Sequence, residues 1–105
     1  MLKEITDANF KEEVLQNKSL FLLFFKSPWC PNCKRLVPII EELSTDYSGR
    51  VDMGIYDVIN SRQVAVDYAV LTVPTILIFK EAKPIERLSG FVSKDGLKAK
   101  IDKLL

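Results

Sequence analysis

The clearest hydrophobic pattern in the chain is an uninterrupted apolar run over residues 20–25, bounded by Ser19 and by the pair Ser27 and Pro28. The run is far shorter than the roughly 20 residues that a membrane helix needs. It predicts a strand that is buried on both faces, as in a parallel sheet. Further strands are predicted at residues 2–5, 51–58, 75–79 and 85–89.

Apolar residues spaced three or four apart predict a long helix after the buried strand. The helix begins at Cys30 and continues to about Ser48, with Gly49 as its stop signal. Pro38 is expected to bend it, because proline lacks an amide donor and clashes with the preceding turn. The residues predicted to face the sheet are Leu36, Ile40, Leu43 and Tyr47.

Three shorter helices complete the predicted order β-α-β-α-β-α-β-β-α. The first is opened by Thr6 or Asp7 as its cap, the second covers residues 61–68, and the third is capped by Ser93. The last two strands form an antiparallel hairpin around a turn at residues 80–84. The alternation predicts an α/β fold, in which a central mixed sheet has helices on both faces. Outside the long helix, the predicted core contains Phe10, Val14, Leu15, Phe21, Phe79, Leu97, Ile101 and Leu104.

Composition and charge narrow the classes of function. The length of 105 residues predicts one domain over residues 1–105. The 15 Lys and Arg against 14 Asp and Glu give a net charge of +1, so the chain lacks the basic excess of a nucleic-acid-binding protein. No apolar leader or membrane segment is recognisable, so we expect a cytoplasmic protein that does not contact membranes. The alternation of strands and helices requires no second copy of the chain, so we expect a monomer. The absence of histidine excludes Ser-His-Asp and Cys-His catalysis and Cys₂His₂ zinc sites, and no metal or cofactor is predicted.

The chemistry of the chain is concentrated in two cysteines, Cys30 and Cys33, at the junction of the buried strand and the long helix. Residues three apart on a helical turn lie about 5–6 Å apart, within reach of a disulfide. At Cys30, unpaired amides and the helix dipole favour a thiolate, and Pro31 suits the first helical position. Lys34, Arg35 and Lys26 add positive charge that is expected to lower the pKa of Cys30 further.

This arrangement predicts Cys30 as the nucleophile and Cys33, deeper in the helix, as the resolving thiol. Three other interpretations remain open. The pair could be a structural disulfide, although closing so short a loop stabilises by only about 2 kcal/mol. It could contribute to a zinc site, which needs four ligands, or the cysteines could be two unrelated core residues.

The sequence as a whole resembles the thioredoxin family. The resemblance is carried by the pattern Trp-Cys-x-x-Cys-Lys at residues 29–34, by Pro38, by Val-Pro-Thr at residues 73–75 before an apolar strand, and by Gly90. It implies the thioredoxin fold and a thiol–disulfide oxidoreductase that acts on protein disulfides. A flavin-dependent thioredoxin reductase is the electron donor that the resemblance implies.

The resemblance also implies a docking surface for substrates. In the family the proline that matches Pro74 follows a cis peptide bond and faces the cysteines, so a cis Val73–Pro74 bond is predicted, and the backbone of Val73 is expected to pair with the substrate. The residues predicted to form the docking surface are Trp29, Pro31, Val73, Pro74 and Gly90.

Two departures from the family pattern affect the expected chemistry. Pro31 and Asn32 stand where thioredoxins usually have Gly-Pro, and Pro31 is similar to the Cys-Pro-Tyr-Cys of glutaredoxins. A buried Asp–Lys pair of thioredoxins, thought to assist proton transfer at the buried thiol, is replaced by Phe24 and Ile55. Without that carboxylate the pKa of the thiol falls and the resolving step slows. We therefore expect a potential above the about −270 mV of thioredoxin, at about −230 to −200 mV.

Two alternatives to a thioredoxin-like reductase follow from these departures. One is a glutaredoxin-like, glutathione-linked reductase, which Pro31 and the Thr-Val-Pro segment at residues 72–74 favour. The other is a thioredoxin-fold binding module whose surface around Trp29 and Pro74 docks a partner without redox chemistry. The retained cysteine pair argues against the second alternative.

Overall fold

The computed structural model describes residues 2–105, and the regular elements follow one another in the predicted order except in the first helical region. The strands are β1 (Lys3–Ile5), β2 (Leu20–Lys26), β3 (Val51–Asp57), β4 (Thr75–Lys80) and β5 (Lys83–Ser89). The helices are α1 (Pro31–Asp46), α2 (Gln63–Asp67) and α3 (Lys94–Leu104), and a π-helical segment covers Lys11–Leu15. Apart from that segment, the ends of the elements differ from the predicted ones by at most two residues.

The strands form a mixed sheet in the order β1-β3-β2-β4-β5. Strands β1, β3 and β2 are mutually parallel, whereas β4 runs antiparallel to β2 and β5 runs antiparallel to β4. The predicted α/β class with a mixed sheet is confirmed. Helix α1 continues through Pro38 without interruption and ends at Asp46, with Tyr47 as its C-cap.

Strand β2 lies at the centre of the sheet, and its side chains alternate between two hydrophobic clusters. Leu20, Leu22 and Phe24 belong to the cluster that contains residues of α1 and α3. The intervening Phe21, Leu23 and Phe25 belong to the second cluster, with residues of the π-helical segment and α2. Helices therefore cover both faces of the sheet, as predicted.

Thr6, one of the two predicted caps, opens the first helical region, but the regular segment that follows is π-helical and begins only at Lys11. The backbone amide of Thr6 donates a hydrogen bond to Asn9 Oδ1 (2.7 Å), and the amide of Ala8 donates to Thr6 Oγ1 (3.2 Å). Together with the bond from the Phe10 amide to the Thr6 carbonyl oxygen (3.0 Å), these bonds form the capped turn that leads into the π-helical segment. The reciprocal bonds of Thr6 and Asn9 are those of a capping box, in which Asn9 takes the place of the usual Glu or Gln.

Asp7 caps a different helix, α2, although α2 is more than fifty residues away in the sequence. Its carboxylate accepts hydrogen bonds from the backbone amides of Arg62 (3.0 Å), Gln63 (3.0 Å) and Val64 (3.1 Å) and from the Tyr56 hydroxyl (2.6 Å). Desolvation raises the pKa of Asp7, but these hydrogen bonds outweigh it and lower the pKa from 3.8 to about 2. The side chain therefore ties the segment after β1 to the start of α2.

The hairpin between β4 and β5 is tighter than predicted. Only Glu81 and Ala82 separate the two strands, and both have positive φ, 52° and 68°. Two such residues form a type I′ turn, which matches the twist of the flanking strands and usually carries Asn-Gly. The sequence lacks that signal, so periodicity alone predicts a longer turn.

The charge on Asp7 should make the stability of the fold depend on pH at the acid end. Because the pKa of Asp7 is lower in the folded chain than in the unfolded chain, its contribution is present above pH 4 and is lost as the pH falls through about 2. We expect Asp7→Asn to reduce the free energy of unfolding at pH 7 by about 1 kcal/mol, a value that allows for solvent screening of this exposed side chain.

Urea unfolding of both proteins at pH 7, 4 and 2 measures this effect. Glu12→Gln, which neutralises an exposed carboxylate on the π-helical segment, is the matched control and should unfold like the parent at pH 7 and 4. If Asp7→Asn lowers the free energy of unfolding by the same amount at pH 2 and at pH 7, the assigned role of the charge is contradicted.

Candidate functional site

The start of helix α1 is built around the sulfur of Cys30. Cys30 is the N-cap residue, with an extended backbone (φ −101°, ψ 107°), and Pro31 follows as the first helical residue. The backbone amide of Cys33 donates a hydrogen bond to Cys30 Sγ (3.1 Å). The sulfur thus takes the position in which a Ser or Asp oxygen commonly accepts an orphan amide of the first turn.

The two cysteines form a disulfide in this structure, and their Cα atoms lie 5.1 Å apart. Cys30 retains 8% of its accessible surface, whereas Cys33 retains 1%. Attack by an external thiol or thiolate therefore has better access to Cys30 than to Cys33. The open interpretation as two unrelated core cysteines is excluded by the bond.

The sheet brings two further segments to the same edge as the cysteines. Phe25 of β2 faces Thr75 of β4, and Thr75 faces Ser89 of β5. The segment after β2, the segment before β4 and the segment after β5 therefore meet at one edge of the sheet. Val73 and Phe91, from the segments next to Thr75 and Ser89, pack against the hydrophobic cluster that contains both cysteines. The segments predicted to form the docking surface therefore converge.

The Val73–Pro74 peptide bond is cis, as predicted. The carbonyl oxygen of Pro74 accepts a hydrogen bond from the amide of Gly90 (2.9 Å), which joins the proline segment to the segment after β5. Gly90 has a φ of 84°, a backbone conformation that favours glycine. Its presence here is thus explained by the backbone conformation as well as by its place at the site.

Trp29 lies immediately before the cysteines and is 75% exposed. Tryptophan is enriched at interfaces, so an exposed Trp29 beside the disulfide agrees with the predicted docking surface. Pro31, on the other side of Cys30, is also exposed, whereas Pro74 is buried.

Comparison with known proteins agrees with this geometry over nearly the whole chain. The family model described as Thioredoxin matches residues 1–103. The chain is 40% identical over 99 residues to a thioredoxin of Buchnera aphidicola subsp. Acyrthosiphon pisum (strain APS), with 94% of the chain and 92% of that protein covered. It is 35% identical over 102 residues to a thioredoxin of Staphylococcus aureus (strain Mu50 / ATCC 700699), with 97% and 96% covered.

The chain belongs to the thioredoxin family. Its sheet and helices form the thioredoxin fold, and its Cys-x-x-Cys pair is disulfide-bonded at the start of a helix. Membership in a family of protein-disulfide oxidoreductases, together with this redox-active pair, makes the chain a thiol–disulfide oxidoreductase.

Beneath the thioredoxin-type site, the expected Asp–Lys pair is replaced by apolar packing. Phe24 is fully buried and faces Ile55 of β3 and Ile76 of β4 in the sheet register. Phe24 and Cys33 belong to the same hydrophobic cluster, against which Ile55 also packs. The replacement avoids leaving either charge of the pair buried alone.

Arg35 and Asn32 add a contact that the sequence analysis did not assign to the site. Arg35 Nη1 donates a hydrogen bond to Asn32 Oδ1 (3.2 Å), and the guanidinium carbon lies 4.0 Å from the centroid of the Phe91 ring. The spacing of Asn32 and Arg35, three apart on a helix, could have indicated the first contact. The contact with Phe91 is made across the fold, and no local pattern indicates it.

The structure places the two predicted charge-tuning lysines differently. Lys34 is exposed in the first turn of α1. Lys26 is half-buried and lines a cavity of about 240 Å³ together with Leu2, Ile55 and Asp57, which lie outside the predicted docking surface. Their effect on the pKa of Cys30 remains a prediction.

Residues 2–105 contain neither a cluster of metal-ligating side chains nor a membrane-spanning helix. No three of their cysteine and carboxylate side chains cluster in a way that could hold a metal ion. No helix among them has the length and apolar character needed to span a bilayer.

The apolar pair Phe24 and Ile55 beneath the site should tolerate a charged residue at one position only if the other position carries the opposite charge. We expect Phe24→Asp to lower the free energy of unfolding by about 3–5 kcal/mol, because it buries a carboxylate without a partner. Adding Ile55→Lys, in register with position 24, should restore part of this loss.

A double-mutant cycle measured by urea unfolding of the oxidised proteins tests this expectation. Phe24→Leu, which keeps the site apolar, is the control and should cost less than Phe24→Asp. Strictly additive effects of Phe24→Asp and Ile55→Lys would show that the two positions do not interact.

Proposed function

We propose that this protein reduces protein disulfides by cycling Cys30 and Cys33 between dithiol and disulfide, with Cys30 as the nucleophile. The observation that carries the proposal is the hydrogen bond from the Cys33 amide to Cys30 Sγ at the start of α1. In the reduced protein the same amide would favour the thiolate, because a donor aimed at the charged form lowers the pKa. The greater exposure of Cys30 supports the same assignment.

The proposed reaction has two exchange steps. The Cys30 thiolate attacks one sulfur of the substrate disulfide, which forms a mixed disulfide and releases the first substrate thiolate. The Cys33 thiolate then attacks Cys30 Sγ, which forms the Cys30–Cys33 disulfide and releases the second substrate thiolate. The substrate gains two electrons, and the protein is left in the oxidised form described above.

The proposed docking surface consists of five residues around the cysteine pair. Its members are Trp29, Pro31, Val73, Pro74 and Gly90. The exposure of Trp29 and the link from Gly90 to Pro74 support this assignment. We expect the backbone of Val73 to pair with the extended backbone of the substrate next to its cysteine, while Trp29 and Pro31 contact its side chains.

We infer a potential more oxidising than that of typical thioredoxins, at about −230 to −200 mV. Apolar Phe24 and Ile55 support this inference, since no carboxylate from these positions raises the pKa of the thiols. Positive charge on Lys34 in the first turn of α1 acts in the same direction. A more stable thiolate favours the reduced form, which makes the disulfide a stronger oxidant.

We propose a flavin-dependent thioredoxin reductase as the electron donor and a cytoplasmic monomer of one domain as the working form. Similarity to named thioredoxins over at least 94% of the chain supports this donor and this domain assignment. Glutathione is the second candidate donor, and it is favoured by Pro31 directly after Cys30 and by the Thr-Val-Pro segment at residues 72–74.

Reduction of insulin disulfides tests the assigned roles of the cysteines. The wild-type protein should catalyse it, and Cys30→Ser should abolish catalysis because the nucleophile is lost. Cys33→Ser should accumulate a mixed disulfide through Cys30, detectable by mass spectrometry. If the protein were a non-catalytic binding module, insulin would stay oxidised even with the wild-type protein.

Two parallel assays identify the electron donor. One supplies thioredoxin reductase and NADPH, and the other supplies glutathione.

Redox titration against glutathione buffers tests the inferred potential. We expect a midpoint at about −230 to −200 mV for the wild-type protein. Replacing Lys34 with Gln should move the midpoint toward more negative values, whereas Lys98→Gln on α3 is the control and should not move it. A wild-type midpoint at about −270 mV or below would refute the oxidising tendency while leaving the oxidoreductase activity intact.

A further inference from the structure

The first turn of α1 carries positive charge without a balancing carboxylate. It contains Lys34 and no acidic residue, and Arg35 follows directly. The ion pairs within residues 2–105 are made by Lys3, Lys94 and Lys100, all outside this turn, and no carboxylate oxygen of these residues lies within 4.0 Å of Arg35. The charge at the site is therefore available to an external group.

Arg35 differs from Lys34 because its head group is held in place. Its guanidinium lies 4.0 Å from the centroid of the Phe91 ring and donates one hydrogen bond to Asn32 Oδ1. A guanidinium has five N–H donors in a planar fork that matches a carboxylate, and Asn32 takes one of them. Because the group is already oriented, binding a carboxylate costs less conformational entropy than it would for a free side chain.

The position of Arg35 links it to the docking surface. Asn32 lies between the two cysteines, and Phe91 directly follows Gly90, whose amide is hydrogen-bonded to Pro74. Arg35 thus connects the cysteine turn with the segment after β5, on the rim of the surface where the substrate backbone is expected. A substrate side chain near the attacked disulfide would pass within reach of its remaining donors.

We propose that Arg35 is a specificity-determining residue that binds a carboxylate of the substrate, so that disulfides flanked by Asp or Glu react faster than neutral ones. This inference rests on the proposed function and names its substrate class: protein segments that carry an acidic side chain close to the disulfide. The effect should be a few-fold, because the pair is exposed to solvent.

Three disulfide peptides, identical except for Glu, Gln or Lys beside the reactive cysteine, test the proposal. The second-order rate constant for their reduction by the reduced protein is measured at low and at high salt. For the wild-type protein we expect a Glu-to-Gln rate ratio of about 3 to 5 at low salt, falling as added salt screens the charges. The Lys peptide should be the slowest of the three.

Variants separate recognition of charge from a structural role. Arg35→Gln should bring the Glu-to-Gln ratio to about 1, and Arg35→Lys should restore part of it, since lysine supplies charge without the fork. Arg50→Gln is the matched control, because Arg50 stacks on the Tyr47 ring (4.8 Å) at the opposite end of α1. Its Glu-to-Gln ratio should equal that of the wild-type protein.

The outcomes distinguish failure of this inference from failure of the proposed function. Reduction of all three peptides with a Glu-to-Gln ratio near 1, or a ratio that Arg35→Gln leaves unchanged, overturns the role of Arg35 and leaves the proposed function standing. If the wild-type protein reduces none of the peptides, the proposed function fails and the inference falls with it.

Discussion

Strand β2 must bury side chains on both of its faces, since its residues 20–25 are all apolar. This demand requires helices on each side of the sheet and neighbouring strands on both edges of β2, and β3 and β4 supply those strands. The active site depends on the same arrangement. The chain leaves β2 at the edge where β4 begins and β5 ends, so Cys30 emerges beside the segments that contain Pro74 and Gly90.

Features that a short stretch of chain determines could be predicted from the sequence. The apolar run predicts the buried strand, and helical spacing predicts α1 to within two residues at each end. Features that depend on distant partners could not be predicted in this way. Asp7 looks like a local helix cap, but its carboxylate binds amides of α2 that only the folded chain brings near. Glu81 and Ala82 adopt positive φ because the strands demand it, against their own preference.

The same division applies to the site. The cysteines and Pro31 are neighbours in sequence, so their arrangement follows from the start of one helix. The thioredoxin resemblance supplied the cis bond before Pro74, which no periodicity would indicate. Neither the spacing of apolar residues nor the resemblance indicates that Arg35 stacks on Phe91, because that contact joins α1 to a segment more than fifty residues away. Contacts between distant segments are thus where the structure adds most to the sequence.

The hydrogen bond between the Cys33 amide and Cys30 Sγ makes the reacting atom also the cap of helix α1. A sulfur atom keeps lone pairs as a thiolate, in a mixed disulfide and in the internal disulfide, so the amide has an acceptor at every stage of the proposed cycle. An oxygen cap on a separate side chain would compete with the sulfur for that amide. Because the same sulfur atom both reacts and caps the helix, the first turn of α1 can stay intact while bonds to that sulfur are made and broken.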